Sequence, residues 1–358
     1  MSTAGSQVLN NKLKLLRHMD KLYEWVKTGF TYPVTVGINL TNLCNHKCPA
    51  CICDYYVSDN KSEVSTVPFE TLVNLVDELS KLGVKAISIG GGGDPTCYPK
   101  LGEAIEYIKG KGLEVSLTTN GTNLSDEDIK TIVRCCTWLR VSLDADCPEM
   151  YLLTHGVGEK AFNRTIENIR RATSLKRATN SEIVISTCYL IGPHTIEGIY
   201  NCTALCKELG VDHIRIRPFF TFGNKKMFSE EDSGAIYKEL ERSKELEGNG
   251  FIVSYPAERC ASVINNCASI TKKCNFHHFN ALIAADLKMY ICCHHMGVEK
   301  YCIGDMHDST FAAIWASERR RNVFENINYL ECPTPCDYAP SNELLWNIQQ
   351  PIPHENFL

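Results

Sequence analysis

The chain has 358 residues, 44% of them hydrophobic, with a formal net charge of −5 and a pI near 6.1. This length predicts one domain of about 200–250 residues plus a smaller one, and the absence of a basic block argues against binding to nucleic acid or an anionic membrane. No apolar run reaches the roughly 18 residues of a membrane span and no signal peptide is visible, so we expect a cytoplasmic protein that does not contact a membrane.

The first predicted element is an amphipathic helix in the N-terminal segment 1–32, and a regular alternation of strands and helices follows it. Such an alternation is typical of a parallel sheet with helices outside. We therefore predict an α/β fold, a partial (β/α)6 TIM-like barrel over residues 33–255, with its active site at the carboxyl ends of the strands. The predicted strands are 34–40, 86–90, 113–119, 139–143, 183–191 and 214–217, and the helices between them are 69–82, 101–111, 126–134, 162–175 and 196–209.

The pattern changes after Pro218, and the C-terminal part of the chain is rich in cysteine. We place a domain boundary between residues 255 and 272 and assign residues 256–358 to a Cys-rich auxiliary cluster domain. The elements predicted after Pro218 are a charged helix at 229–246, a short strand at 251–255, a hairpin at 281–293 and a helix at 311–324.

Cysteine is the outlier of the composition, with 19 residues. An odd number without an export signal argues against a secreted disulfide framework and favours metal binding or redox chemistry. After the first strand, the sequence LTNLCNHKCPACIC places Cys44, Cys48 and Cys51 in a C-x3-C-x2-C pattern. Three thiolates on one loop can hold three irons of a [4Fe–4S] cluster and leave the fourth iron open. A structural zinc site with Cys53 as its fourth ligand is the alternative.

This cysteine pattern, at the end of the first strand of a partial barrel, resembles the signature of the radical S-adenosylmethionine (radical SAM) superfamily. The resemblance implies that the open iron chelates the amino and carboxylate groups of SAM. It also implies that an electron from the cluster cleaves SAM to a 5′-deoxyadenosyl radical, which removes a hydrogen atom from the substrate. A small redox carrier of the flavodoxin or ferredoxin type is the implied reductant.

Motifs at the ends of later strands extend the resemblance over residues 33–220. The sequence GGGGDP at 90–95 is similar to the family's glycine-rich motif, which grips the SAM amino group, with Asp94 in place of the commoner Glu. TTNG at 118–121 also recurs in the family. In SLD at 142–144, Ser142 and Asp144 lie on one side of the strand, and the resemblance implies that they face the SAM ribose. Ala50 stands where the family usually has an aromatic residue, which leaves the adenine contact open. The implied cofactor-binding residues are Gly91, Gly92, Asp94, Asn120, Ser142, Asp144 and Arg217.

The second cysteine group resembles the cluster-binding extension called SPASM, or its shorter form, twitch. The shared features are a hairpin between cysteines, an I-G-D turn, an F-x-x-I-W helix and a closing pair of cysteines. One closed auxiliary [4Fe–4S] cluster is implied, because four thiolates leave no iron open. The implied ligands are Cys274, Cys292, Cys332 and Cys336.

Several alternatives to this ligand set stay open. A structural zinc ion tolerates the same spacing of four cysteines. Cys293 can replace Cys292, and Cys302 can be a further ligand. A second auxiliary cluster would use Cys260 and Cys267.

Two clusters favour oxidation as the reaction, because a closed cluster can accept the electron that a substrate radical loses. Because enzymes of the twitch type include dehydrogenases of cyclitols and aminosugars, the resemblance implies dehydrogenation of a small molecule such as a sugar or cyclitol. The alternatives are maturation of a ribosomal peptide, a non-enzymatic metal scaffold, and epimerisation with a hydrogen donor among Cys53, Cys293 and Cys302. Oxidation also requires a base, for which the polar candidates are His155, His194, His294 and Tyr189.

Overall fold

The described residues form ten β-strands in a single sheet. In this computed structural model they are residues 11–53, 64–220, 227–256, 260–261, 263, 273–334, 336–351 and 353. The strands are β1 (Thr35–Ile38), β2 (Ala86–Ile89), β3 (Glu114–Thr119), β4 (Trp138–Ser142), β5 (Val184–Ile191), β6 (His213–Pro218), β7 (Ile252–Ser254), β8 (Asn280–Ile283), β9 (Lys288–Tyr290) and β10 (Cys302–Asp305). Their order in the sheet is β10-β9-β8-β1-β2-β3-β4-β5-β6-β7.

Strands β1 to β7 are parallel to their neighbours, which confirms the predicted α/β fold with a parallel sheet. The short strand predicted at 251–255 is β7, and it adds a seventh parallel strand beside β6. At the opposite edge β8 pairs parallel with β1, and β9 and β10 continue antiparallel. Strands of the Cys-rich segment therefore extend the sheet of the barrel.

Helices follow the strands along the chain. They are α1 (Asn11–Leu15), α2 (Met19–Thr28), α3 (Phe69–Lys81), α4 (Leu101–Gly110), α5 (Asp126–Cys135), α6 (Pro148–His155), α7 (Glu159–Thr179), α8 (Gly198–Glu208), α9 (Glu230–Lys244), α10 (Phe311–Ala316), α11 (Glu318–Glu325) and α12 (Ala339–Gln349). Capping boxes fix the starts of α5 and α9. In the part of the chain that the structure describes, no helix combines the length and hydrophobicity needed to cross a bilayer.

Alternate residues of the parallel strands point to opposite faces of the sheet. Ile87 and Ile89 of β2, like Ile214 and Ile216 of β6, are fully buried in the apolar core that the strands share with the helices. The residues between them belong to the face opposite helices α3 to α9, which we call the inner face. This face carries small and polar side chains, and the carboxyl ends of the strands open onto it.

Two predicted helices are wrong in their extent, because each contains a break. The N-terminal helix is two helices, since His18 has a non-helical backbone (φ −116°, ψ 53°) directly before α2. Leu13 and Met19, two apolar residues of this segment, are 46% and 61% exposed. The helix predicted at 311–324 is divided into α10 and α11 by Ser317, whose extended backbone ends one helix and whose side chain caps the next.

Candidate active site

The cysteine loop predicted to hold a cluster leaves the carboxyl end of β1. Burial raises the pKa of the Cys44 thiol to about 12, and the nearby charges of Asp94 and Cys51 also raise it. A hydrogen bond from the N–H of His46 acts in the opposite direction. Burial also raises the pKa of Cys48, with further contributions from Cys51 and Cys44. The three thiols therefore lie close enough to sense one another's charge. Because thiolates are the metal ligands, a metal centre here would displace three protons.

The ends of neighbouring strands tie this loop down. The N–H of Asp94 donates to the carbonyl of Leu43 at 2.7 Å. The Asn120 amide donates to Asn45 Oδ1 at 2.7 Å. His46 Nε2 lies 2.9 Å from the hydroxyl oxygen of Thr122, whereas His46 Nδ1 is buried without a partner among the described residues. The residues that follow β2 and β3 therefore position the loop, and His46 Nδ1 keeps a free hydrogen-bonding position within the described part of the site.

Glycines 90 to 92 follow β2 with positive φ angles, which L-residues with a side chain rarely adopt. At Gly91 a Cβ would lie 3.3 Å from Asn39 Oδ1, and at Gly92 it would lie 2.8 Å from Asn39 Nδ2. The backbone thus passes close to Asn39, at the carboxyl end of the sheet beside the cysteine loop. Both predicted glycines are therefore brought to the site, and both positions require glycine.

Asp94 lies at this site and joins the ends of β2 and β3. Its oxygens accept hydrogen bonds from the N–H and hydroxyl of Thr96, the hydroxyl of Thr119 and the N–H of Asn120, at 2.6–2.9 Å. These bonds fix the position of the carboxylate beside the glycine-rich turn. The contact between Asp94 and the SAM amino group stays a prediction.

Ser142 and Asp144 both lie at the end of β4, as expected from SLD. The Ser142 carbonyl accepts from His155 Nε2 at 3.1 Å. Asp144 has a left-handed backbone (φ 47°), and its carboxylate accepts from the N–H of Leu190 at 2.8 Å. Burial raises the pKa of Asp144 to about 7, against the opposing effects of Arg217 and that N–H. Asp144 therefore changes charge near neutral pH, a property that the sequence did not indicate.

Arg217 reaches the site from the end of β6, but it is engaged by the C-terminal segment. Its Nη1 lies 3.3 Å from Asp337 Oδ2, and Arg215 Nη2 lies 3.0 Å from Asp337 Oδ1. Asp337 directly follows Cys336, one of the predicted auxiliary ligands. Sequence reasoning missed this pairing, because nothing in the spacing of the two segments places Asp337 beside β6.

The four predicted auxiliary cysteines converge on one place. Burial, followed by the charge of Cys336, raises the pKa of Cys274 to about 12, and Cys332 also contributes. Burial and the charge of Cys336 likewise raise the pKa of Cys332 to about 11. A hydrogen bond with Cys293 raises the pKa of Cys292, as do burial and the charge of Cys274. A set of four neighbouring thiols fits a closed iron–sulfur cluster.

Cys53 lies between the two cysteine groups. It is 5% exposed and belongs to one apolar cluster with Met296, Cys302 and the partly buried Cys293. A hydrogen bond with Cys51 raises the pKa of the Cys53 thiol, and burial and the charge of Cys293 add to this. The ligand atoms of Cys292, Cys293 and His294 lie within 4.8 Å of one another. The first thiol group therefore connects to the second through Cys53 and Cys293.

The predicted base candidates have different surroundings. Tyr189 is fully buried, and its hydroxyl donates to the carbonyl of Thr195 at 2.5 Å. Burial lowers the pKa of His155 to about 3, and its ring stacks on Tyr151. These two side chains are structural. His194 lies in an exposed turn, and His294 is buried beside Phe220.

Of the two cysteines considered for a second auxiliary cluster, Cys260 is fully buried in the apolar core. Cys267 lies outside the described residues. The structure therefore leaves the second auxiliary cluster untested.

Two protein-family models match the chain. Residues 38–201 match the radical SAM superfamily, and residues 274–337 match SPASM, an iron–sulfur cluster-binding domain. The two matches contain the first and second cysteine groups, respectively, in the order that the motifs predicted.

Curated relatives are distant. The chain is 20% identical to the tungsten-containing aldehyde ferredoxin oxidoreductase cofactor-modifying protein of Pyrococcus furiosus. The alignment spans 364 residues and covers 89% of this chain and 98% of that protein. Over 156 residues it is 27% identical to the mycofactocin maturase MftC of Mycobacterium ulcerans, covering 43% of this chain and 41% of MftC. The second alignment thus spans less than half of either protein.

Solved structures share the fold. Streptococcus suis SuiB bound to S-adenosylmethionine matches with a TM-score of 0.67 at 13% identity, over 88% of this chain and 76% of SuiB. The structure of anSMEcpe with bound AdoMet matches with a TM-score of 0.60 at 17% identity, over 82% of this chain and 83% of that one. At these identities the likeness establishes a common architecture.

Proposed function

Because this chain is a radical SAM protein with a C-terminal SPASM domain, we propose that it oxidises its substrate by removing one hydrogen atom and then one electron and one proton. When bound, the cluster on the first cysteine group and SAM supply the 5′-deoxyadenosyl radical that takes the hydrogen atom. A radical SAM domain implies this [4Fe–4S] cluster and SAM, and a SPASM domain implies auxiliary iron–sulfur clusters. We assign the first cluster to Cys44, Cys48 and Cys51.

The connection between the two thiol groups is the observation that carries this proposal. Cys53 forms a side-chain hydrogen bond with Cys51, and the charge of Cys293 raises the pKa of the Cys53 thiol. The loops that carry the first group and Cys274 and Cys292 of the second adjoin one continuous sheet, because β8 pairs directly with β1. A substrate held over the first group is thus near the second group, which we assign to Cys274, Cys292, Cys332 and Cys336. Those four thiols are suited to hold the acceptor of the second electron.

We propose a small molecule as the substrate. Its support is the relative that covers nearly the full length of both chains, which is named a cofactor-modifying protein. The second candidate is maturation of a peptide, which the similarity to mycofactocin maturase favours. Epimerisation has less support, since two of its three possible hydrogen donors, Cys53 and Cys302, are buried in the apolar cluster.

The test is an anaerobic measurement of iron, zinc and 5′-deoxyadenosine with SAM and dithionite. Changing Cys44, Cys48 and Cys51 together to Ala should remove about four irons per chain and abolish 5′-deoxyadenosine formation. Cys274→Ala should lose the auxiliary iron, keep SAM cleavage and fail to give oxidised product. Cys147→Ala, outside both groups, is the matched control and should behave like the parent.

The possible outcomes separate the alternatives. Zinc without iron, together with no 5′-deoxyadenosine, would overturn the enzyme proposal. In deuterated water an epimerase would incorporate deuterium at the reacting carbon through its thiol donor, whereas the proposed oxidation leaves that carbon without solvent deuterium. Normal product from Cys274→Ala would contradict the role assigned to the auxiliary group.

A further inference from the structure

We propose that Arg140, Arg215 and Arg217 form an anion-binding subsite on the inner face of the barrel, which holds a carboxylate or phosphate group of the substrate. The existence of the subsite follows from the geometry of β4 and β6. Its assignment to the substrate rests on the proposed function.

The three arginines reach the same space from two strands. Leu139 and Val141 flank Arg140 and are buried on the helix side, so Arg140 projects from the inner face. The same alternation places Arg215 and Arg217 on the inner face of β6, where each lies between two buried residues. β5 separates the two strands, which puts their backbones about 10 Å apart. Two guanidinium groups reaching across that gap would hold one small anion between them.

The strand between them carries short side chains on its inner face, and one of them, Cys188, hydrogen-bonds Arg217. Register pairs Arg140 with Ser186, and Ser186 with His213. It also pairs Cys188 with Arg215. The inner-face residues of β5 opposite both arginines are therefore small. Ser186 donates to the carbonyl of Leu139 at 3.1 Å, so its hydroxyl lies back against β4 and does not fill the space.

The positive charges of this cluster exceed the negative charges. Asp337 is shared by Arg215 and Arg217, while Arg140 forms no ion pair among the described residues and lies over the ring of Trp138, 4.8 Å from its centre. The nearby carboxylate of Glu114 is exposed at the amino end of β3, where its charge acts on Lys14. Among the described residues, the three guanidinium groups face the carboxylate of Asp337, and Arg217 also interacts with the charge of Asp144, so positive charge remains in excess.

Hydrogen-bond donors of the same cluster are unused. Nε of Arg140, Nε of Arg217 and Nε2 of His213 are buried and have no partner in the described part of the chain. Leaving buried donors and charge unpaired is costly. Burial, then the charge of Arg215, lowers the pKa of Arg140 to about 10, the direction expected where neighbouring positive charges are only partly compensated. Guanidinium groups bind carboxylates and phosphates through paired N–H donors.

The subsite adjoins the proposed reaction centre. The charge of Arg217 acts on Asp144 at the end of β4, and Asp337 ties Arg217 to the auxiliary cysteine segment. An anionic group held here would fix the rest of the substrate between the two thiol groups. The resemblance implies that Arg217 also contacts SAM and assigns the SAM carboxylate to the open iron of the first cluster, so the substrate anion is expected chiefly on Arg140 and Arg215.

The experiment measures binding of inorganic phosphate and of succinate to the anaerobic holoenzyme by calorimetry, at saturating SAM and with ionic strength held constant by chloride. Saturable binding to the parent is expected. Arg140→Gln should weaken it by about tenfold or more, because a charged hydrogen-bonding partner is lost. Arg140→Lys keeps the charge without the planar fork and should give an intermediate loss. Arg170→Gln, an exposed residue on α7 that pairs with Glu167, is the control.

The result also identifies the kind of anion. Tighter binding of phosphate points to a phosphorylated substrate, and tighter binding of succinate points to a carboxylate. Competition by a short peptide with a free C-terminus, but not by its amide, assigns the carboxylate to a peptide. Absence of saturable binding at saturating SAM overturns the subsite, as does binding that appears only in a parallel titration from which SAM is omitted. So does unchanged affinity in Arg140→Lys and Arg140→Gln.

Failure of this inference is distinguishable from failure of the proposed function. Formation of 5′-deoxyadenosine is measured on the same parent preparation. A parent that cleaves SAM but binds neither anion overturns the subsite alone. A parent that binds an anion but does not cleave SAM overturns the proposed function and leaves the subsite in place.

Discussion

At the scale of single residues, Asp94 shows how one carboxylate can join two strand ends. We expect Asp94→Asn to lower the free energy of unfolding by about 1–3 kcal/mol, because buried donors on Thr119 and Asn120 lose a charged acceptor. Urea unfolding of the cluster-free protein measures this effect. Asp308→Asn, on an exposed turn, is the control and should change little. An Asp94 variant as stable as the control would mean that these hydrogen bonds are replaced by water.

Asp144 provides a pH-dependent prediction. Burial raises its pKa from 3.8 to about 7 in the folded protein, so the folded state binds a proton that the unfolded state releases. The contribution of Asp144 to stability is therefore fully present below the unfolded pKa and is lost as the pH rises through about 7. Between the unfolded pKa of 3.8 and the folded pKa of about 7, the free energy of unfolding falls by about 1.4 kcal/mol per pH unit.

Comparing the parent with Asp144→Asn isolates this slope, because other titrating groups cancel in the difference. The free energy of unfolding of both proteins should be measured between about pH 5 and pH 8. The parent should lose stability relative to the variant as the pH rises. A difference that does not vary with pH would show that Asp144 titrates in its ordinary range.

Residue positions were more predictable than side-chain directions. The glycine-rich turn and Asp94 could be located from the sequence, because each directly follows a recognisable strand. The direction of the Asp94 carboxylate depends on Thr119 and Asn120 of the next strand, and local sequence does not contain that information. The arginines of β4 and β6 were visible as charges within apolar strands, a pattern that signals a polar inner face.

At the scale of elements, Glu78 on α3 caps a helix of the C-terminal segment. Its carboxylate accepts from the N–H groups of Phe311 and Ala312 at 3.2 and 2.9 Å, at the positive end of α10. We expect Glu78→Gln to reduce stability by about 0.5–2 kcal/mol and to accelerate hydrogen exchange at those two amides. Glu70→Gln, exposed on the same helix, is the matched control. Equal exchange in the two variants would contradict the capping role.

The strands and helices of the barrel were predictable because each is a short apolar run with a clear stop signal. The helix breaks at His18 and Ser317 were not predicted, although the Ser317 side chain caps α11 through a local hydrogen bond with the N–H of Arg320. Hairpin β8–β9 was expected from its cysteines, but its pairing with β1 was not. That pairing joins residues more than 240 positions apart, Thr35 with Asn280, and periodicity carries no information about such partners.

At the scale of the whole molecule, the C-terminal segment completes the barrel sheet. The N–H of Val34 donates to the carbonyl of Phe279 at 2.9 Å, and the N–H of Asn39 donates to the carbonyl of Ile283 at 3.0 Å. Trp315 of α10 also donates its indole N–H to the carbonyl of Thr31 at 2.8 Å. The strand that carries the first cysteine loop is thus held from both sides, by β2 and by β8.

This arrangement predicts that the radical SAM part will not behave as an independent domain. A chain ending at residue 256 would expose the edge of β1, whose unpaired backbone groups favour aggregation. We expect it to aggregate in size-exclusion chromatography and to retain far less than the about four irons of the first cluster. A chain lacking only residues 351–358 is the control, because β8 and its pairing with β1 are kept. A monomeric chain of residues 1–256 that holds its iron and cleaves SAM would show that β1 needs only β2, and that β8 docks onto a site already formed.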